Sequence, residues 1–221
     1  MSSKKALVVY GGWDGHTPKQ SAEVFAPFLQ SQGFEVKLSD TLDSYLDQEL
    51  MASLSLVVPI WTMGQITKEQ EKGLLTAVNS GTGIAGFHGG MCDSFRSSTQ
   101  YQWMTGGQWV SHPGNVIPAY KVRITDSNHP ITKGISDFHL KNTEQYWMHV
   151  DPANQVLATT TFSGEHGDST LYKAGTVMPY VWTKTWGKGK VFYAAWGHTY
   201  KDFDIPEAKE IVQRGMIWAA R

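Results

Sequence analysis

Apolar positions along this chain alternate between two rhythms, and the alternation predicts an α/β protein built on a parallel sheet. Residues 4–12 are mostly apolar with little alternation, which fits a first central strand covered on both faces. A Gly-rich run follows, Gly11-Gly12-Trp13-Asp14-Gly15-His16-Thr17-Pro18. In it Thr17 is a natural N-cap with Pro18 at the first helical position, and Ala22, Phe25, Ala26, Phe28 and Leu29 supply an apolar helical face ending at Gly33. Residues 34–38 read as the second strand. Leu42, Leu46 and Leu50 then keep helical spacing. Residues 54–61 form the third strand, with Pro59 near its carboxyl end, where a lost ladder bond costs least. Residues 67–79 are predicted as a helix, with Thr67 capping, Glu69 and Glu71 in the first turn, and Leu74, Leu75 and Val78 on one face. The order strand, helix, strand, helix, strand, helix, strand implies helices on both faces of the sheet, with ligands held beyond the carboxyl ends of its strands.

The fourth strand, residues 83–87, leads into Phe87-His88-Gly89-Gly90-Met91. Gly86, Gly89 and Gly90 allow a sharp turn that leaves His88 at its tip, an arrangement like a nucleophile elbow with an imidazole in the central place. Beyond it, a short helix and a Gly- and Trp-rich loop (103–113) precede a strand over 119–125, in which Tyr120, Val122 and Ile124 alternate with Lys121 and Arg123. His129-Pro130-Ile131-Thr132 makes a turn. Residues 138–150 and 156–162 are further strands, 178–186 and 190–196 form a hairpin about Gly187-Lys188-Gly189, and 206–220 close the chain as a helix with Ala208, Ile211, Val212, Met216 and Ile217 inward. No linker divides the 221 residues, so residues 1–221 are expected to form one domain.

Charge narrows the partners. With 19 Lys+Arg against 20 Asp+Glu, the chain lacks the basic footprint that holding a phosphate backbone requires, so no nucleic acid is expected. No apolar run is long enough to span a membrane, and the start, Met1-Ser2-Ser3-Lys4-Lys5 before a short apolar run, is not followed by a signal cleavage site. A cytoplasmic protein with a small polar ligand is expected. The single Cys92 excludes an internal disulfide and a cysteine-cluster metal site, and it lies about one helical turn past the elbow tip, the wrong place for a nucleophile. Aromatics make up 12% of the chain, including nine Trp. Surface aromatics would suit a face between copies, so a homo-oligomer is expected.

Position sorts the eight histidines. His16, His88 and His198 each follow the carboxyl end of an apolar strand inside a Gly-containing loop, and His112 lies in a Gly-rich loop after the elbow, so all four can line one crevice. Imidazoles serve as bases, acids or ligands near neutral pH, and three or four of them, with Glu144, suit a divalent metal such as zinc. The compact His-x-x-x-His signature is absent. His129, His139, His149 and His166 read as structural residues. Glu144 and Tyr146, two apart on one strand face, are either an acid/base and a hydroxyl acting together, or a Glu paired with a surface Lys beside a core Tyr. Trp13 and Trp61, at strand ends, would either stack on a sugar or pack. A dinucleotide fingerprint is missing after the first strand, and so is a receiver-type Asp after the third, where the chain reads Val57-Val58-Pro59-Ile60-Trp61.

Taken together, Gly11-Gly12-Trp13 with His16 and Pro18, Gly86-Phe87-His88-Gly89-Gly90, Gly106-Gly107 with Trp109, His112 and Pro113, His129-Pro130-Ile131-Thr132-Lys133-Gly134, Glu144 with Tyr146, Gly187-Lys188-Gly189-Lys190-Val191-Phe192-Tyr193, Gly197-His198 and Trp218-Ala219 carry a likeness over nearly the whole chain. The sequence resembles the ThuA-like, or trehalose utilisation, family. The resemblance implies a flavodoxin-like three-layer α/β sandwich with a mainly parallel central sheet, related to class I glutamine amidotransferases, with their catalytic cysteine replaced by His88. It departs from the family pattern at Thr143, where the acidic pair before the tyrosine is only half present. It further implies bacterial carbohydrate utilisation, of trehalose or a related disaccharide, beside oxidoreductases that make 3-keto sugars, and excludes amidotransferase activity itself. His88 or Glu144 is then the base, with His198 and Tyr146 catalytic partners, His16, His88, His112 and His198 the metal ligands, and Trp13, His16, Trp61, Gly89, Gly90 and His112 the sugar contacts. Two other readings stand beside this one: a non-catalytic sugar-binding or regulatory module, and a metal-dependent hydrolase.

Overall fold

The computed structural model describes residues 4–221; the first three residues of the expected charged head lie outside them. The elements run β1 (Lys4–Gly12), α1 (Pro18–Ser31), β2 (Phe34–Ser39), α2 (Gln48–Ser53), β3 (Leu56–Thr62), α3 (Lys68–Asn79), β4 (Gly83–Phe87), α4 (His88–Cys92), α5 (Thr99–Thr105), β5 (Gly107–Ser111), β6 (Val116–Ile124), β7 (Phe138–Glu144), β8 (Trp147–Val150), β9 (Gln155–Thr161), β10 (Val177–Trp186), β11 (Gly189–Ala194) and α6 (Pro206–Ala219). Nine strands form one sheet in the order β2-β1-β3-β4-β11-β10-β9-β6-β7, and β5 pairs with β8 apart from it.

The strands from β2 to β11 are parallel, as the continuous apolar runs require; Leu7, Val8, Val57, Val58 and Ile84 are wholly buried. Pro59 faces Val9 of β1, while the β3–β4 ladder ends at Val57 and Ile84, so its missing N–H breaks no bond there. From β1 the chain crosses to β2 on one side, and from β3 to β4 on the other. With right-handed crossovers, α1 and α3 therefore cover opposite faces, and a crevice opens where β1 and β3 diverge. The capping box at Thr67 and Gln70 fixes the start of α3, a feature worth about 1 kcal/mol.

Beyond β11 the sheet turns antiparallel, and this half departs most from the sequence expectation. Residues 138–150 are two strands in two sheets, broken at Gln145 and Tyr146 because the Tyr146 amide donates to the Tyr180 hydroxyl and not to a ladder. The loop over 103–113 contains β5, whose partner β8 is distant in sequence. Leu42, Leu46 and Leu50 do not share one helix: Asp47 caps α2 after a separate 3-10 turn, and Leu46 is exposed. In α6, Ala208, Ile211, Val212 and Met216 are buried, but Ile217 is exposed because it falls one position off the buried stripe. Among the described residues no helix is long and apolar enough to cross a membrane.

Edge strand β7 lies five ladder positions from β4, about 24 Å along a flat sheet at about 4.8 Å per strand. Yet Glu144 at the end of β7 lies 3.2 Å from His88 at the end of β4. The antiparallel half must curl back over the strand ends, and the register shifts between Pro179, Val181 and Trp182 along β9–β10 provide the bend.

Candidate active site: four imidazoles around one carboxylate

The elbow after β4 has the expected geometry. All of β4 is buried, and His88 takes a left-handed backbone (φ 47), a conformation that costs a non-glycine residue about 1 kcal/mol or more and persists because its surroundings hold it. The His88 Nδ1–H donates to the Ala195 carbonyl at 3.1 Å, and the ring stacks on Tyr146 with centroids 3.8 Å apart. Gly89 lies where any Cβ would come within 2.7 Å of the His16 ring and 2.9 Å of the Tyr146 hydroxyl, so only glycine lets these two side chains close on the elbow. Gly90 serves packing and not the pocket: its Cα faces the Ile60 backbone, where a Cβ would sit 3.0 Å away.

His16 comes from the 3-10 turn Asp14–His16 after β1. Its Nδ1 is 2.9 Å from the Thr62 hydroxyl, and the Trp13 amide donates to the Thr62 carbonyl, so the ends of β1 and β3 together aim the ring. Thr17 does not cap α1 with its side chain. It is itself left-handed (φ 48), and its hydroxyl accepts from the Tyr200 amide, which ties this loop to the one carrying His198. His198 follows β11 across Gly197, whose φ of 112 and contact with Phe87 and Phe203 leave no room for a Cβ. Centroids of the His16, His88 and His198 rings are 4.7, 5.2 and 5.7 Å apart, so three distant loops bring them to one place.

Glu144 is the centre of the group. Its Oε2 lies 3.2 Å from His88 Nε2, 3.3 Å from His198 Nδ1 and 3.9 Å from His16 Nε2, while Oε1 is 3.7 Å from His112 Nε2. The carboxylate is buried, so it is not a surface partner for Lys, and Tyr146 reaches the same pocket across a strand break and not along one strand face. His112 stands at the rim, its side chain 29% exposed. Trp13, half exposed, meets His16 edge-on at 4.8 Å. Trp61 is not brought into the group: its indole lies over Gly11 and Gly64 and packs there. Cys92 is buried and burial pushes its thiol well above the usual range, consistent with a packed residue. A cavity of about 520 Å³ between α2 and α3 contains none of these residues.

Several residues of the site have no local signature in the sequence. Asp202, buried, accepts from the Gly197 and His198 amides, each at 3.0 Å, and from the Thr143 hydroxyl at 2.8 Å, all on Oδ2. It resembles Asp204, exposed two residues later, in everything but its fold position. A chain of hydroxyls from Tyr180 to Tyr120 to the Glu144 carbonyl, and Thr62 beside His16, are likewise visible only in three dimensions.

Burial, reinforced by the neighbouring His88 and His198 rings, pushes His16 from 6.5 down to about 2. Burial alone would raise the Glu144 carboxyl, but the facing His198 and His88 rings outweigh it and hold it well below its ordinary range. Both shifts make the folded chain bind fewer protons than the unfolded one. Stability is therefore full at neutral pH and falls as pH drops below about 6.5, first through His16 and below about 4.5 through Glu144 as well. Urea unfolding in EDTA-containing buffer should lose about 1 kcal/mol per pH unit below pH 6.5 from His16, and His16→Gln should flatten the pH 6.5 to 5 part of that curve. A wild-type curve flat over that interval would contradict a buried neutral His16.

The chain matches the family described as ThuA, trehalose utilisation, over residues 5–219. Its fold is similar to that of a ThuA-like protein from Bacteroides uniformis ATCC 8492 (18% identity, TM-score 0.81, covering 98% of this chain and 91% of that one). A ThuA-like protein from Parabacteroides merdae ATCC 43184 is comparable (18% identity, TM-score 0.78, covering 99% and 90%). A Thermoplasma acidophilum protein described as belonging to a GMP synthase shares the architecture more distantly (15% identity, TM-score 0.51, covering 99% and 96%). At these identities the likeness is one of fold. No curated protein matches the chain in sequence.

Proposed function

The chain belongs to the ThuA, trehalose utilisation, family, and from that premise we propose that it is a carbohydrate-processing enzyme that moves a proton at the carbon next to the carbonyl of a 3-keto sugar. The observation that carries this reading is a single buried carboxylate, Glu144, faced by four imidazoles, of which His112 is partly exposed, with half-exposed Trp13 beside His16. The Glu144–His88 pair, with Oε2 and Nε2 3.2 Å apart, is the base: it takes the proton from carbon, and the electron pair moves onto the carbonyl oxygen to give an enediolate. His16, His198 and the Tyr146 hydroxyl surround the place where that oxygen would gather charge. Burial holds the Tyr146 phenol well above its ordinary range, so it is a donor throughout the neutral range. Return of the proton to the former carbonyl carbon, as the hydroxyl proton of the first carbon passes to the enediolate oxygen, isomerises the sugar; expulsion of the glycosidic oxygen from the next carbon, with the proton taken by the base delivered to it, cleaves the sugar to an enone and a free alcohol. Trp13 supplies an apolar ring at the mouth for a second sugar unit.

Proton NMR in D2O tests the reading with 3-keto-trehalose and other 3-keto disaccharides beside their unmodified parents. The keto sugars should exchange the proton next to the carbonyl or turn over, and the parents should do neither. Micromolar sugar binding with no exchange and no turnover for any keto sugar would replace the enzyme by a binding module.

A further inference from the structure

We propose that His16, His88, His198 and Glu144 form a binding site for one divalent transition-metal cation of the zinc class. The inference concerns the same pocket as the reading above, rests on its geometry and not on the choice of sugar, and reassigns roles within that reading.

Four potential donor atoms, one from each residue, lie within 4.8 Å of one another. An ion held tetrahedrally at about 2.0–2.1 Å by nitrogen and oxygen keeps its donors about 3.3–3.4 Å apart. Glu144 Oε2 is already 3.2 Å from His88 Nε2 and 3.3 Å from His198 Nδ1 and stands 3.9 Å from His16 Nε2, and the widest separation in the group, 4.8 Å, would close by about 1.4 Å as the imidazoles turn onto a common ion. Hydrogen bonding favours the same answer. A carbonyl can only accept, so the His88 Nδ1 facing Ala195 O carries the proton, which leaves Nε2 as the ring atom available to ligate. His198 Nδ1 is buried beside that same oxygen without a hydrogen bond of its own. Three imidazole nitrogens thus converge on a single oxygen, and a cation at the common point would take one lone pair from each.

The outer contacts are those that orient ligands. His88 is held by a carbonyl, His16 by the Thr62 hydroxyl, and the His198 backbone amide by Asp202. Imidazole with one carboxylate suits zinc and its first-row neighbours and suits magnesium or calcium poorly. His112, expected among the ligands from its loop, stands outside the group, facing Oε1 at 3.7 Å. With a cation on Oε2, that cation would steady the enediolate oxygen, and the proton would pass to Oε1 or His112.

The test is titration of chelator-stripped protein with ZnCl2, CoCl2 and MgCl2 by calorimetry, with the visible spectrum of the cobalt form as a second readout. One equivalent of Zn2+ should bind at sub-micromolar Kd, Mg2+ should not compete, and cobalt should give the intense absorption of a four-coordinate site. Glu144→Gln and His198→Ala should each weaken Zn2+ by at least about 100-fold, Thr62→Val by about 10-fold, and His112→Ala should leave it within about threefold. Circular dichroism of each variant separates lost folding from lost ligation. Zn2+ binding weaker than about 100 µM by folded wild type, or binding indifferent to both Glu144→Gln and His198→Ala, overturns the site. Stoichiometric Zn2+ with no action on keto sugars would keep the site and remove the sugar reading instead.

Discussion

His88→Ala should lower turnover of a 3-keto glycoside by about 1,000-fold in kcat/KM, with a folded protein remaining. The magnitude follows from how many parts of the site that ring joins. Its Nδ1–H is fixed by the Ala195 carbonyl, its Nε2 meets Glu144, and its face lies on Tyr146, so the substitution removes the carboxylate's nearest partner and the support of the phenol together. Because the interaction serves the developing enediolate more than the bound ketone, the loss should fall mainly on kcat. Alanine keeps the strained φ of 47 at this position, so His88→Gly is the control for folding: it relieves the backbone and should be as inactive and more stable than His88→Ala. Steady-state kinetics with urea unfolding of both variants checks the pair. Turnover within tenfold of wild type in His88→Ala would remove the elbow from the chemistry.

Asp202→Ala is expected to cost about 3–5 kcal/mol of stability, the largest effect of any single substitution away from the apolar core. Three donors end on one buried oxygen, the amides of Gly197 and His198 and the hydroxyl of Thr143, and removing the acceptor leaves all three without a partner. At about 2–4 °C per kcal/mol for a chain of this size, the melting temperature should fall by roughly 10 °C. Asp202→Asn retains an acceptor and should recover more than half of the loss. Thr143→Val removes one donor with its partner's other bonds intact and should cost about 1 kcal/mol. Thermal melts and urea midpoints of the three variants measure this ranking. A cost under about 1 kcal/mol for Asp202→Ala would show that the loop is held otherwise. Asp202 joins the β7 end, next to Glu144, to the loop of His198, so its loss should also reduce turnover through misplacement of both groups.

The parallel half of the fold was legible because its signals are local. A strand buried on both faces must be a continuous apolar run, as in Leu7, Val8 and Val9 or Leu56, Val57 and Val58, and a helix such as α3 announces itself by a cap and a 3.6-residue stripe. Loops at the carboxyl ends of such strands share one side of the sheet, which is why His16, His88 and His198 could be grouped without coordinates. The antiparallel half was less legible. Whether 138–150 is one strand or two depends on the Tyr180 hydroxyl capturing the Tyr146 amide, a bond spanning 34 residues. Trp61 and Gly90 stand where pocket residues would, yet one covers Gly11 and Gly64 and the other packs on Ile60, choices set by neighbours that periodicity does not report.

What the sequence determined by itself was the order of the parallel strands and helices, the bend that carries His88, and the side of the sheet where the imidazoles gather, because apolar periodicity and glycine placement act within a few residues. Only the tertiary structure decided that Glu144 is the hub, that His112 stays at the rim and that Asp202 holds two loops together. Those outcomes depend on a curled sheet returning its edge strand across about 24 Å to the end of β4, and curvature is a property of ladders and bulges between distant segments, which no local pattern encodes.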